Sequence, residues 1–275
     1  MNKVWIIAFN TFREAVRDKI LYNLLIFALV IILGGYLLST LTLGEQDKII
    51  LDLGLGSMNL FGVLIAIFVG IGLVNKEIDR KTIYTIISKP VARFQFLIGK
   101  YIGLVMTLFV NLMIMVVGFY CSFFLQKTGF LFLHAPDVHL SFGFYQAVYL
   151  IFIELMIVTG VAIFFSTFTS TTLAAIFTLF IYVIGHLTGT VRELGDKLDP
   201  FSKGLLETVY YILPNLEKFN IKAEVAHHIV ISTTYLLVAS LYGFTYISIL
   251  LLSAGLIFQK KGFQIDHRSQ CEQCS

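Results

Sequence analysis

The chain has 275 residues, of which 57% are apolar and only 13% charged, with 26 Phe and a formal net charge of +3. A water-soluble domain carries about 25% charged residues, so an ordinary soluble enzyme is excluded, and no nucleic-acid partner is expected. Runs of about 20 residues without Lys, Arg, Asp or Glu recur, long enough to cross a roughly 30 Å hydrocarbon layer as helices. Barrel strands would instead alternate over about 10 residues. The expected fold is all-α: a polytopic membrane protein in a single transmembrane domain, surrounded by lipid.

Residues 1–19 read as an amphipathic helix. Val4, Trp5, Ala8, Phe9, Phe12 and Val16 recur at helical spacing, with Lys3, Asn10, Arg13, Glu14 and Arg17 on the other side. Such a helix lies in the membrane interface with Trp5 at headgroup level. Its charges, and the missing small-residue cleavage site, argue against a cleavable signal peptide. Six spans follow, at 21–43, 55–74, 97–125, 144–168, 172–190 and 231–258. Pro90, Pro136, Pro200 and Pro214 all fall between spans, as expected for a residue that breaks helix hydrogen bonding. With the N-terminus inside, thirteen Lys and Arg lie on the inner side and seven on the outer. The bias predicts N-in and C-in.

The inner loop 75–96 reads NKEIDRKTIYTIISKPVARFQF. Glu77 and Lys81 are spaced to pair on a helix. Ile83, Ile86 and Ile87 form an apolar stripe, and Pro90 ends it. The stripe must be buried, either against a partner protein or against the chain's own membrane end. In the short inner turn, Ser166, Thr167, Thr169, Ser170, Thr171 and Thr172 are candidates to cap helix ends. The last outer segment, 191–228, begins a helix at Asp199-Pro200. Phe201, Leu205, Leu206, Val209, Ile212 and Leu213 give it one apolar face, and Pro214 stops it. That helix is expected to be interfacial or re-entrant.

Glu154 lies near the middle of the fourth span, where a lone charge costs about 2.5–3.5 kcal/mol on insertion scales. It is expected either to be protonated there or to bond a neighbour such as Asn111 of the third span. Glu154 is then either a gate or substrate contact, or one end of an interhelical hydrogen bond. His186 lies near the outer end of the fifth span. Counted from the span ends, its depth differs from that of Glu154 by about two helical turns, which argues against a proton-sharing pair. His227 and His228 lack the H-E-x-x-H pattern of a zinc site and read as solvated. His267, Cys271 and Cys274 offer three metal ligands where a structural zinc site takes four, so the tail 259–275 is expected to be disordered and metal-free. Gly34, Gly35, Gly54, Gly56, Gly70 and Gly72 are expected to permit close helix packing.

Together these pieces resemble the permease subunits of type-2 ATP-binding-cassette (ABC) exporters. IAFNTFREAVRDKILYNLL is similar to the family's N-terminal elbow helix and its entry into the first span. EIDRKTIYTIISKPVARFQFLIGKYIG resembles the first coupling region, with Glu77, Thr82, Ser88-Lys89-Pro90, Arg93 and Gly99-Lys100 matching, although Lys81 stands where a Gly is common. FFSTFTSTTLAA and LIFQKKGF continue the likeness to the C-terminal side. The resemblance implies that two permease subunits, here a homodimer, form a twelve-span unit in the bacterial cytoplasmic membrane. Spans two and five would line the dimer interface. An ABC ATPase subunit would dock on the coupling helix, with Glu77, Arg80, Thr82, Ile83, Ile86, Ile87, Pro90 and Arg93 at the contact. The chain holds no G-x-x-x-x-G-K-[ST] phosphate loop. It is therefore expected to carry no cofactor and no catalytic residue, with ATP and Mg on the partner ATPase. Length and simple loops look most like stand-alone bacterial permeases, including the Nos-type subgroup.

The alternative function is a secondary transporter or channel using Glu154 within the membrane, although no discontinuous span is visible. An intramembrane enzyme would need paired catalytic groups at one depth, and none is seen. The Phe-rich spans suit a lipid, a peptide or another amphipathic cargo.

Overall fold

A computed structural model of the chain describes residues 3–40, 46–79, 93–127, 142–188, 213–226, 229 and 231–272. These residues form eight α-helices and one 3-10 turn, with no strand among them. In chain order the helices are α1 (Lys3–Val16), α2 (Lys19–Thr40), α3 (Gln46–Asp79), α4 (Arg93–Lys127), α5 (Phe142–Ser166) and α6 (Thr171–His186). After the 3-10 turn (Glu217–Phe219) come α7 (Lys222–Ala226) and α8 (Thr233–Glu272). Among the described residues, four stretches are long and apolar enough to cross a membrane: Lys48–Gly72, Phe94–Ser122, Phe142–Ser166 and Thr233–Ile257. Lys19–Gly35 and Thr171–His186 are shorter apolar helices.

Helix ends depart from the sequence expectation where charges continue a helix. α3 begins at Gln46, so Asp47, Lys48 and Asp52, read as a loop, are helical. The tail, expected to be disordered, continues α8 to Glu272. Hydropathy marks where a helix leaves lipid. Backbone hydrogen bonding runs on until a breaker intervenes, and no proline follows Pro214.

The core forms around α5. Its apolar side chains are spread over the whole circumference with no favoured face, as expected of a helix covered on every side. Leu150, Ile153, Leu155, Ile157 and Ala162 on it are all buried. α3, α4, α6 and α8 surround it, while α2 lies along α3 and α4, and α1 along α4. Large apolar side chains face outward on α2 (Ile26, Phe27, Val30) and α8 (Leu237, Leu241, Leu256). In water such exposure would be a liability; against hydrocarbon it costs nothing.

α1 turns into α2 through Arg17 and Asp18, whose backbone N–H groups donate to Glu14 and Ala15 carbonyls at 3.1 and 3.0 Å. The Asp18 carboxylate then accepts from the Ile20 N–H at 3.0 Å, capping α2. The buried seam of α1 is Ala8, Thr11 and Ala15, while Trp5 and Phe9 are more than half exposed. The reason lies on α4. Gly99 and Gly103, one turn apart, form a groove that α1 backbone enters: a Cβ on Gly103 would stand 2.5 Å from the Ala8 carbonyl oxygen. Ala8 and Thr11 meet Gly103 and Ile7 meets Gly99, while the aromatic residues turn outward. The glycines singled out from sequence matter less. Among the described residues, nothing lies within 4 Å of a Cβ placed on Gly34, Gly56 or Gly72, and of those six only Gly54 is tightly covered, by Phe119.

The turn between α5 and α6 is short, and its hydroxyls serve the end of α5. Ser166, Thr167 and Thr169 donate to the carbonyls of Ile163, Phe164 and Phe165 at 3.1, 2.7 and 2.7 Å. Ser170 stands at the N-cap of α6 without a side-chain bond. The turn therefore caps carbonyls rather than N–H groups, and it fixes the register of the two helices.

Candidate functional site

The most deeply buried charge-bearing side chain on α5 is Glu154, at 0% exposure. α3 supplies its hydrogen-bond donor. The Asn59 amide, also fully buried, donates to Glu154 Oε1 at 3.3 Å and Oε2 at 3.2 Å. The Tyr182 hydroxyl on α6 donates to Asn59 Oδ1 at 3.4 Å. One turn further along α6, His186 Nε2 lies 3.3 Å from Glu154 Oε1. That contact is at ion-pair distance but is not aligned as a hydrogen bond. The other imidazole nitrogen, Nδ1, lies 3.2 Å from the Tyr182 carbonyl oxygen. α3, α5 and α6 thus close one polar cluster inside an apolar bundle.

Two expectations are corrected here. Asn111 is not the partner of Glu154: its amide donates to the Thr107 carbonyl at 2.8 Å, along its own helix. Its Oδ1 is buried without a hydrogen bond among the described residues. His186 and Glu154, which a depth count held apart, are brought together. The count used span ends, which hydropathy places loosely. The turn at 167–170 is the better origin, because Glu154 stands twelve residues before Ser166 and His186 fifteen after Thr171. That mismatch is only about 4.5 Å at 1.5 Å per residue.

The segment 213–226 seals this end of the cluster. The Leu216 N–H donates to the Gly185 carbonyl and the Asn215 N–H to the Tyr242 hydroxyl, both at 3.0 Å. The Thr188 hydroxyl donates to Asn215 Oδ1 at 3.0 Å and Glu217 Oε2 at 3.3 Å. Phe219 and Ile221 are buried beneath. Lys222 opens α7, and its charge interacts with those of Glu154 and Asp52. Burial holds the Lys222 ammonium below the usual lysine range, and those two carboxylates draw it back up. Gly185 makes the seal possible: a Cβ there would stand 2.8 Å from the Pro214 carbonyl oxygen. Gly185→Val is expected to lift the segment and lower the melting temperature in detergent by several degrees. It should also raise maleimide labelling of a Leu216→Cys reporter several-fold over the same reporter on the parent chain.

Of the coupling residues, Glu77 lies in the last turn of α3 and Arg93 opens α4. Arg80, Thr82, Ile83, Ile86, Ile87 and Pro90 lie outside the described residues, as does most of 191–228, including His227 and His228. His267 and Cys271 fall on the α8 backbone and Cys274 beyond it. Asn59, Tyr182 and Lys222 were not singled out from sequence. A lone Asn inside an apolar run was the available signal, since such a residue needs a partner across helices.

The helices and their buried polar cluster define a polytopic helical membrane protein. Residues 5–198 match the family described as ABC-2 family transporter protein, and the chain belongs to that family. It is a transmembrane subunit of an ABC transporter and not itself a catalyst. A search of curated proteins finds no match.

Proposed function

We propose that the chain is the permease of a type-2 ABC exporter, crossing the bacterial cytoplasmic membrane six times with both ends inside. The observation that carries this reading is the family match, which runs unbroken from α1 past the end of α6. The two shorter apolar helices supply spans one and five. α2 as a whole has 22 residues, about 33 Å, enough to cross. α6 has 16, about 24 Å, and the bond from Leu216 to its last turn supports continuation of that layer. α1 serves as the elbow helix, its outward Trp5 and Phe9 in the interface.

A second copy completes the pathway. α6 presents an exposed apolar face of Leu173, Ile176, Phe177, Phe180 and Val183, and α3 presents Leu60 and Phe68. These are surfaces that a homodimer through spans two and five would cover. The ATPase docks on 75–96, where Glu77, Arg80, Thr82, Ile83, Ile86, Ile87, Pro90 and Arg93 make the contact, and it brings ATP and Mg. Length and simple loops favour the stand-alone bacterial permeases, with the Nos-type subgroup among them. The Phe-rich spans favour an amphipathic cargo.

Co-purification with the partner ABC ATPase tests the docking. Ile83→Asp and Ile86→Asp should each lower ATPase retention at least tenfold while leaving the permease folded. Full retention by both variants would overturn the docking assignment.

A further inference from the structure

The Glu154–His186 contact constrains its own protonation. A carbonyl oxygen only accepts, so the bond to Tyr182 requires a hydrogen on Nδ1 of His186. Nε2 is then the atom that meets Glu154 Oε1 at 3.3 Å. With no proton on either atom, a nitrogen lone pair faces a carboxylate oxygen inside an enclosed site. One proton between them removes that repulsion, whether nitrogen or oxygen holds it. If Oε1 carries the proton, that proton takes the place of one lone pair at the 3.3 Å contact while Oε2 still accepts from Asn59. Either way the pair is neutral overall, which matters where an unpaired buried charge is costly.

Titratable and charged groups face the pair from several sides. α6 brings Tyr182, α7 Lys222 and the 3-10 turn Glu217, while Asp52 of α3 interacts with Lys222 in turn. Only one of the two reaches the surface of the bundle: the His186 side chain is 19% exposed and Glu154 not at all.

We propose that Glu154 and His186 form a proton-binding site, filled by one shared proton that exchanges with the medium through His186. The inference rests on the permease reading for its biological setting, but its chemistry belongs to this chain alone. Proton release leaves a net negative pair beside the Lys222 ammonium, tightening the hold on segment 213–226. Uptake of a second proton sets an imidazolium near that ammonium and loosens it. The acidity of the compartment at the α6 end thereby biases the bundle.

The test is the melting temperature of the permease in nanodiscs, without ATPase, from about pH 6.5 to about pH 9. In the unfolded chain the Glu is ionised and the His passes from about half protonated to neutral across that window, so the pair binds less than one proton, while the folded pair holds one. Stability then falls as pH rises, until the folded pair releases its proton. Wild type should show this slope, and His186→Gln and Glu154→Gln should each flatten it, with the double variant no flatter than either. A merely structural role lowers melting equally at every pH. Single variants that keep the wild-type slope overturn the proposal. His186→Gln decides alone if Glu154→Gln does not fold. Because no ATPase is present, failure of the docking assignment cannot produce either result.

Discussion

Asn59→Leu is expected to destabilise the bundle by about 2–3 kcal/mol. Leucine is close enough to asparagine in size that packing changes little and the loss is electrostatic. Glu154 forfeits both amide contacts, at 3.3 and 3.2 Å, and Tyr182 its acceptor. A hydrogen bond to a charged group is worth about 1.5–3 kcal/mol, whereas interhelical bonds in membranes average about 0.6 kcal/mol because the unfolded chain finds other partners. The larger figure should win here. Asn59 and Glu154 are both at 0% exposure, so water cannot replace the lost donor. The double variant Asn59→Leu with Glu154→Leu removes donor and acceptor together, and should recover much of the loss, since replacing both partners by apolar groups is nearly neutral. Unfolding in mixed detergent micelles gives all three values. Simple additivity of the two single losses would show that the pair does not act as a unit.

The same residues show what the sequence could and could not reveal. Apolar length was legible: segments expected at 144–168 and 172–190 became Phe142–Ser166 and Thr171–His186. Lipid imposes that signal directly, one residue at a time. Partner choice was not legible. Glu154 needed a donor, and Asn111 and Asn59 were both lone amides in apolar runs; which one reaches Glu154 depends on how α3 and α4 are rotated about their axes. That rotation is set by packing such as Leu155 against Gly62, where a Cβ would come within 2.7 Å. The His186 contact was hidden for a related reason, because register comes from the turn at 167–170 and not from hydropathy. The amphipathic pattern of α1 did not reveal its seam. The aromatic residues stay outward, while Ile7, Ala8 and Thr11 meet the Gly99–Gly103 groove.

That groove carries the second large effect. Gly103→Val should detach α1 from α4. A Cβ at 103 would stand 2.5 Å from the Ala8 carbonyl oxygen and 2.7 Å from Thr11 Cβ. The first obstacle is backbone, which has no rotamer through which to yield, so the helix itself must move. Overpacking of this kind costs about 1–3 kcal/mol, and Gly99 adds to it, because its own approach to the Val4 carbonyl oxygen is lost when α1 tilts. Gly118→Ala is the informative contrast. Its Cβ would meet Leu29 Cδ2, the far end of a flexible side chain, rather than backbone. It should therefore be tolerated within about 1 kcal/mol by a change of leucine rotamer. An Ala15→Cys reporter, at 0% exposure in the parent chain, should be labelled by a water-soluble maleimide many times faster beside Gly103→Val than beside Gly118→Ala. Equal rates would mean that α1 is held by something other than the glycine groove. If the rates differ as expected, the ATPase stimulation proposed to pass through 75–96 should fall in the same variant, because α1 rests on the helix that leaves that loop.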